Sequence, residues 1–127
     1  MSDTASRDLT ILLVEDYDDT RFVMRLQLEF RGYRVIEAED GKKAVELALK
    51  ERPDVILMDL SLPDLDGFEA TKQIREDEQM RQVPIIAVTA HQETNFRQGA
   101  KASGFDAYVT KPIDIDWLSD LISGLSP

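Results

Sequence analysis

Five short runs rich in apolar and β-branched residues, each followed by a segment with helical spacing, constrain this chain more than any other feature. The runs are Leu9 to Val14, Tyr33 to Glu37, Val55 to Met58, Ile85 to Val88 and Ala107 to Val109, and their length and composition predict strands. Apolar residues recur at helical intervals after them: Val23, Leu26 and Phe30 in the first segment, Ala44, Leu47 and Ala48 in the second, Trp117, Leu121 and Leu125 in the last. Each helix is expected to lay one apolar face on a sheet. Parallel neighbours need crossover connections, and strands apolar along their whole length must be covered on both sides. The alternation therefore predicts an α/β fold, a parallel sheet with helices on both faces. Local signals agree, with Gly32 and Gly104 at helix C-cap positions, Pro53 stopping the second helix, and Asp18 or Asp19 placed to cap the first.

The 127 residues are enough for one domain with a real core and too few for two ordinary ones. Residues 1–127 are accordingly read as a single domain, with Met1 to Asp8 a flexible N-terminus. Twenty-five acids against fifteen bases leave a net charge of -10, which repels phosphate backbones and anionic lipid and argues against direct nucleic-acid or membrane binding. The absence of cysteine excludes disulfides, thiol nucleophiles and Cys-ligated zinc, and fits a reducing, cytoplasmic location. No apolar run approaches the roughly 20 residues of a membrane span, and MSDTASRD has no stretch that could serve as a signal peptide.

In an open parallel sheet the ligand site lies beyond the carboxyl ends of the strands. Glu15 and Asp16 follow the first run, Asp59 the third, Thr89 and Ala90 the fourth, and Thr110, Lys111 and Pro112 the fifth. Clustered carboxylates repel by about 4 kcal/mol per pair at 4 Å with an effective dielectric near 20. An all-oxygen donor set suits a hard divalent cation such as Mg²⁺, and Lys111 offers a fixed second positive charge. A carboxylate so neutralised can act as a nucleophile toward phosphorus and form an aspartyl-phosphate. Thr89 is then placed to donate to a phosphoryl oxygen, with small Ala90 leaving room.

Four motifs in order, LLVEDYDD, MDLSLPDLDG, VTA and YVTKP, make the chain resemble the receiver domain of two-component response regulators from Leu9 to about Leu125. The resemblance implies a flavodoxin-like (βα)5 sheet of order 2-1-3-4-5, and phosphorylation of Asp59 by a histidine kinase or histidine phosphotransfer protein. It implies Mg²⁺ held by Glu15, Asp16, Asp59 and the backbone carbonyl of Ser61, with Thr89 and Lys111 as the phosphate-sensing pair. Tyr108 matches the switch aromatic, and Lys111-Pro112 the peptide that is usually cis. Glu15 stands where many relatives have Asp, so its longer arm is expected to reach the metal through water. On phosphorylation Thr89 would approach the phosphoryl group and Tyr108 turn inward. The surface formed by the helix after the fourth strand, the fifth strand and the last helix would then change for a downstream effector to read.

Other uses of these residues compete. A haloacid-dehalogenase type of aspartyl-phosphate phosphatase would make Asp16 the nucleophile and leave Asp59 unexplained. Nucleotide binding needs glycine-rich phosphate loops that are absent. A receiver acting only by phosphorylation-independent docking normally lacks an acid or the lysine, and here both are present. The chain is thus read as a signalling module and not as an enzyme, beyond assisting its own phosphorylation and dephosphorylation. Asp16-x-Asp18-x-Thr20 imitates a calcium loop, but Arg21 and Gln27 occupy the positions that need Gly and Glu. Asp18 and Asp19 are assigned to capping, and Asp64, Asp66 and Gly67 to turns, with Gly67 relieving backbone strain. His91 is read as a solvated loop residue, with an influence on phosphoryl lifetime as the family alternative; the Ser61 side chain is read with the same caution. Phe96 and Arg97, on the helix expected after the fourth strand, are candidate partner contacts, and Trp117, Leu121 and Leu125 are read as core. Ending just after the last helix, the sequence fits a free-standing receiver or one cut from a longer protein.

Overall fold

The computed structural model of the chain describes residues 9–60, 62, 65–89 and 104–125. In order come β1 (Thr10–Val14), α1 (Asp18–Phe30), β2 (Arg34–Ala38), α2 (Gly41–Glu51), β3 (Val55–Asp59), α3 (Gly67–Glu76), a 3₁₀ turn (Glu78–Met80), β4 (Ile85–Thr89), β5 (Ala107–Thr110) and α4 (Ile115–Leu125). The predicted strands each form, shifted by a residue or so at their ends. All pairings are parallel, and the order is β2-β1-β3-β4-β5. This is the flavodoxin-like arrangement, with strand order reversing beside β1.

Alternation along each strand sends its apolar residues to two separate cores. Leu12, Val14, Ile56, Met58, Ile85 and Ala87 face one side, where Ala44 and Ala48 of α2 and Ala70 and Ile74 of α3 cover them. Ile11, Leu13, Val55, Leu57, Ile86 and Val88 face the other, against Met24 and Leu28 of α1 and Leu118 and Ile122 of α4. Strands β3 and β4 are buried along their whole length, which is why they contain no interior polar residue.

Two helix faces differ from expectation. In α1 the sheet is met by Met24 and Leu28, while Val23, Leu26 and Phe30 are exposed, Phe30 at 91%. In α4 Leu118 and Ile122 are fully buried, Leu121 and Leu125 lie at the margin of the core, and Trp117 is 53% exposed. Both helices carry more apolar residues than one face can hold, so spacing alone selects the wrong stripe in α1 and an off-centre one in α4, and only packing against the strands decides.

The caps also differ in part. Tyr17 occupies the N-cap of α1 without a side-chain cap bond, and Asp18 and Asp19 lie inside the first turn, where their charges complement the helix N-terminus instead. Asp40 caps α2 and Asp66 caps α3, each carboxylate accepting a backbone N–H. Gly32 and Gly104 have φ of 96° and 101°. Arg52, with φ 50°, closes α2 in the left-handed region just before Pro53.

Candidate functional site

Continuing the strand alternation past the ends of the sheet shows what gathers there. Glu15 stands two residues after Leu13, Asp59 two after Leu57, and Lys111 two after Val109, so all three inherit the same face. The Lys111 ammonium Nζ lies 2.9 Å from Glu15 Oε1 and 3.1 Å from Asp59 Oδ2. Glu15 is 2% exposed and Asp59 3%. Two buried carboxylates sharing one lysine form a tight charged cluster, costly to desolvate unless every charge has a counterpart.

Asp16 is exposed and adjoins the pair. One carboxylate oxygen from each of Glu15, Asp16 and Asp59 lies within 4.8 Å of the other two. With all three ionised and Lys111 protonated, the cluster carries a net excess of negative charge, which a divalent cation would neutralise. The donors are all oxygen, the set that hard cations prefer. These residues could hold a metal ion.

Electrostatics follow from this geometry. Burial pushes the Glu15 carboxyl above its ordinary value of 4.5; hydrogen bonds from Lys111 and from the Tyr17 N–H pull it back only in part, and the charge of Asp59 raises it further. Burial works against the charged Lys111, but the hydrogen bonds and charges of Glu15 and Asp59 outweigh it and hold the ammonium above its usual 10.5. Lys111 is therefore a permanent cation at neutral pH.

The remaining predicted residues fall into two groups. Thr89 is buried at the carboxyl end of β4, in register with Thr110, and its carbonyl accepts the Lys111 N–H at 2.8 Å. Tyr108 on β5 is half-buried beside the α2–α3 core. The Lys111-Pro112 peptide is cis, as expected. Ser61, Asp64, Ala90, His91, Phe96 and Arg97 lie outside the described residues. Beside Lys111, a cavity of about 600 Å³ opens between α1 and the Lys111–Ile113 segment.

Gly67 proves to matter for a reason other than strain. A Cβ there would sit 2.3 Å from the backbone oxygen of Asp59 and 2.9 Å from Leu60 Cα, so α3 can start against the end of β3 only where no side chain intervenes. Sequence reasoning missed two features. The burial of Glu15 against Lys111 was legible in the shared strand parity of Leu13-Glu15, Leu57-Asp59 and Val109-Lys111. No sequence signal pointed to Arg21, whose guanidinium Nη1 donates to the backbone carbonyl of Glu15 at 2.9 Å.

Comparison with known proteins gives a consistent set of likenesses. The family model described as the response regulator receiver domain matches residues 11–123. The polar-differentiation response regulator DivK of Brucella anthropi is 37% identical over 106 residues, 84% of this chain and 86% of that protein. Among solved structures, the receiver domain of the sensor histidine kinase PA1611 of Pseudomonas aeruginosa PAO1 superposes with a TM-score of 0.87. It is 40% identical, with 92% of this chain and 96% of that one covered, and has a magnesium ion coordinated in its active-site cleft. The chemotaxis protein CheY4 of Vibrio cholerae superposes equally well, with a TM-score of 0.87, 31% identity, and 92% and 98% coverage.

Proposed function

The chain belongs to the response regulator receiver domain family, and from that premise we propose that Asp59 is its phosphoacceptor, served by the carboxylates and lysine gathered around it. The observation that carries the reading is a buried Asp59, at the end of an entirely buried strand, with Lys111 Nζ 3.1 Å away. A carboxylate kept so close to a permanent cation, on the edge where α/β sheets bind ligands, is placed for chemistry that passes negative charge across it.

In the proposed transfer a carboxylate oxygen of Asp59 attacks the phosphorus of a phosphohistidine on a histidine kinase or histidine phosphotransfer protein. The P–N bond breaks and its electron pair stays on the imidazole nitrogen. Lys111 balances the charge of the transferring group, and Thr89 donates a hydrogen bond to one of its oxygens. Asp16 and Asp59 would hold Mg²⁺, with the Ser61 backbone carbonyl, outside the described residues, completing the set. Both oxygens of Glu15 are engaged, by Lys111 and by the Tyr17 N–H, which supports Glu15 acting through water. When bound, the metal supplies positive charge against the phosphoryl oxygens.

Phosphorylated Asp59 engages Thr89 and Lys111 differently from the free carboxylate, and this difference biases a two-state switch that Tyr108 reports to an effector protein or domain. The chain is a single receiver domain, not an enzyme with a substrate of its own; it assists only its own phosphorylation and dephosphorylation. No described helix is long and apolar enough to cross a membrane, and together with the net charge of -10 this supports a cytoplasmic protein that binds neither membrane nor nucleic acid directly.

The test is incubation with Mg²⁺ and acetyl phosphate, followed by intact mass. One added phosphoryl group is expected, absent in Asp59→Asn and strongly reduced in Lys111→Met. No adduct in the wild type across Mg²⁺ concentrations and pH would defeat the phosphoacceptor assignment and leave a docking role.

A further inference from the structure

We infer that Arg21 is a positioning residue for the acidic pair: its guanidinium fork locks the peptide joining Glu15 to Asp16 and so sets where Asp16 presents its carboxylate to a divalent cation. The inference rests on the metal reading of the cluster given above.

The geometry is specific. Arg21 lies at the end of the first turn of α1, and helical side chains lean toward the N-terminus, so it reaches back over the turn between β1 and α1. Nη1 donates to the Glu15 carbonyl at 2.9 Å, Nη2 to Asp18 Oδ1 at 2.7 Å, and Nε to Glu37 Oε1 at 3.2 Å. Three acceptors on three segments, the strand end, the helix start and β2, are held by one planar group. Its side chain is only 17% exposed. Glu37 is itself braced from the other side, its Oε2 lying 3.1 Å from Arg25 Nε.

Among the described residues, the Glu15–Asp16 junction is held at few other points. The Glu15 N–H donates to the Ala38 carbonyl at 3.1 Å, and the Glu15 carboxylate is fixed by Lys111 and the Tyr17 N–H. The carbonyl that Arg21 holds belongs to the same peptide plane as the Asp16 N–H. Rotation of that plane swings Asp16, which is exposed, away from Glu15 and Asp59.

Positioning and simple electrostatics predict opposite signs, which makes the proposal testable. Arg21 is a cation near a cation site, so through-space repulsion alone says that removing it tightens metal binding. Positioning says that removal loosens it, by about tenfold, at the lower end of the effect of partners that orient metal ligands.

The experiment is a calorimetric Mg²⁺ titration of wild type, Arg21→Met and Arg21→Lys at constant ionic strength, with circular dichroism to check folding. The Asp16 amide is followed by NMR in the metal-free proteins. Both variants are expected to bind Mg²⁺ about tenfold more weakly and to shift the Asp16 amide before any metal is added. Arg21→Lys keeps the charge but not the fork, so its weakening is geometric, and it carries the test should Arg21→Met fail to fold. Equal or tighter binding by either folded variant, with wild-type binding intact, overturns the positioning role and leaves the metal reading standing. A wild type that binds no Mg²⁺ overturns both.

Discussion

Replacing Gly67 with alanine probes whether α3 must start in direct contact with the backbone that carries Asp59. The new Cβ would lie 2.3 Å from the Asp59 oxygen, 2.9 Å from Leu60 Cα and 3.1 Å from the Asp59 carbonyl carbon. Ordinary van der Waals separation is about 3.5 Å, so the helix start and strand end must part by about 1 Å. All three neighbours are backbone atoms, and no rotamer change relieves the clash. Overpacking costs about 1–3 kcal/mol, and a 2.3 Å contact with rigid backbone belongs to the upper part of that range, about 2–3 kcal/mol, offset by about 1 kcal/mol of helix propensity. A net loss of about 1–2 kcal/mol is expected, or about 4–8 °C in Tm for a domain of this size. Gly124 in α4 is the internal control, because among the described residues nothing lies within 4 Å of a Cβ there, and Gly124→Ala is expected to gain about 0.5 kcal/mol. Urea and thermal unfolding of the two variants should therefore move in opposite directions. Acetyl phosphate labelling should also slow in Gly67→Ala, because Asp59 shifts relative to Lys111. A Gly67→Ala protein as stable as the wild type, beside a stabilised Gly124→Ala, would refute the close-approach argument.

Further outcomes follow from the packing and the charges. Leu28→Ala, which empties a site 1% exposed, should cost about 2–5 kcal/mol, whereas Phe30→Ser at a site 91% exposed should change stability by less than about 0.5 kcal/mol; equal effects would show that the helix face is misassigned. Arg75→Met should cost about 3 kcal/mol or more by urea denaturation, because it removes donors from the carbonyls of Met80, Val83 and Gly104 and takes from Asp106 its ion-pair partner, leaving that carboxylate the Ile85 N–H. Arg75→Lys, with one ammonium for several acceptors, should recover little of that. In metal-free protein, Lys111→Met should push the Glu15 carboxyl still higher, since it removes a hydrogen bond and a charge that lower it. A raised acid pKa means that the native state binds the proton more tightly than the unfolded chain. The stability Glu15 contributes is thus full below about pH 4.5 and lost as pH rises through its folded value, a window that the variant widens. Carbon-detected NMR of the Glu15 carboxyl checks this, and a downward shift would contradict the ion pair.

Much of the architecture was legible because burial imposes a period on the chain. A parallel strand covered on both faces must be apolar throughout, and Val55 to Met58 and Ile85 to Val88 announce this directly. The acids and lysine that end such strands stand out against that background, which is why Glu15, Asp16, Asp59 and Lys111 could be nominated from sequence and are found together. Helices are less explicit when apolar residues occur on more than one side. Met24 and Leu28 compete with Val23, Leu26 and Phe30, and the winner depends on where the helix axis settles over β1 and β2.

By itself, then, the sequence determined the strand–helix alternation, the parallel sheet and which polar residues end its strands, because these depend on local pattern and residue type. Tertiary structure decided which stripe of α1 and α4 meets the sheet, that Lys111 bridges Glu15 and Asp59, that Gly67 is needed for contact with the Asp59 carbonyl, and that Arg21 reaches the Glu15 carbonyl. Each of these depends on distances between segments remote in sequence, or on a side chain reaching back across a turn. Such distances exist only once the sheet has assembled and the helices have taken their places on it.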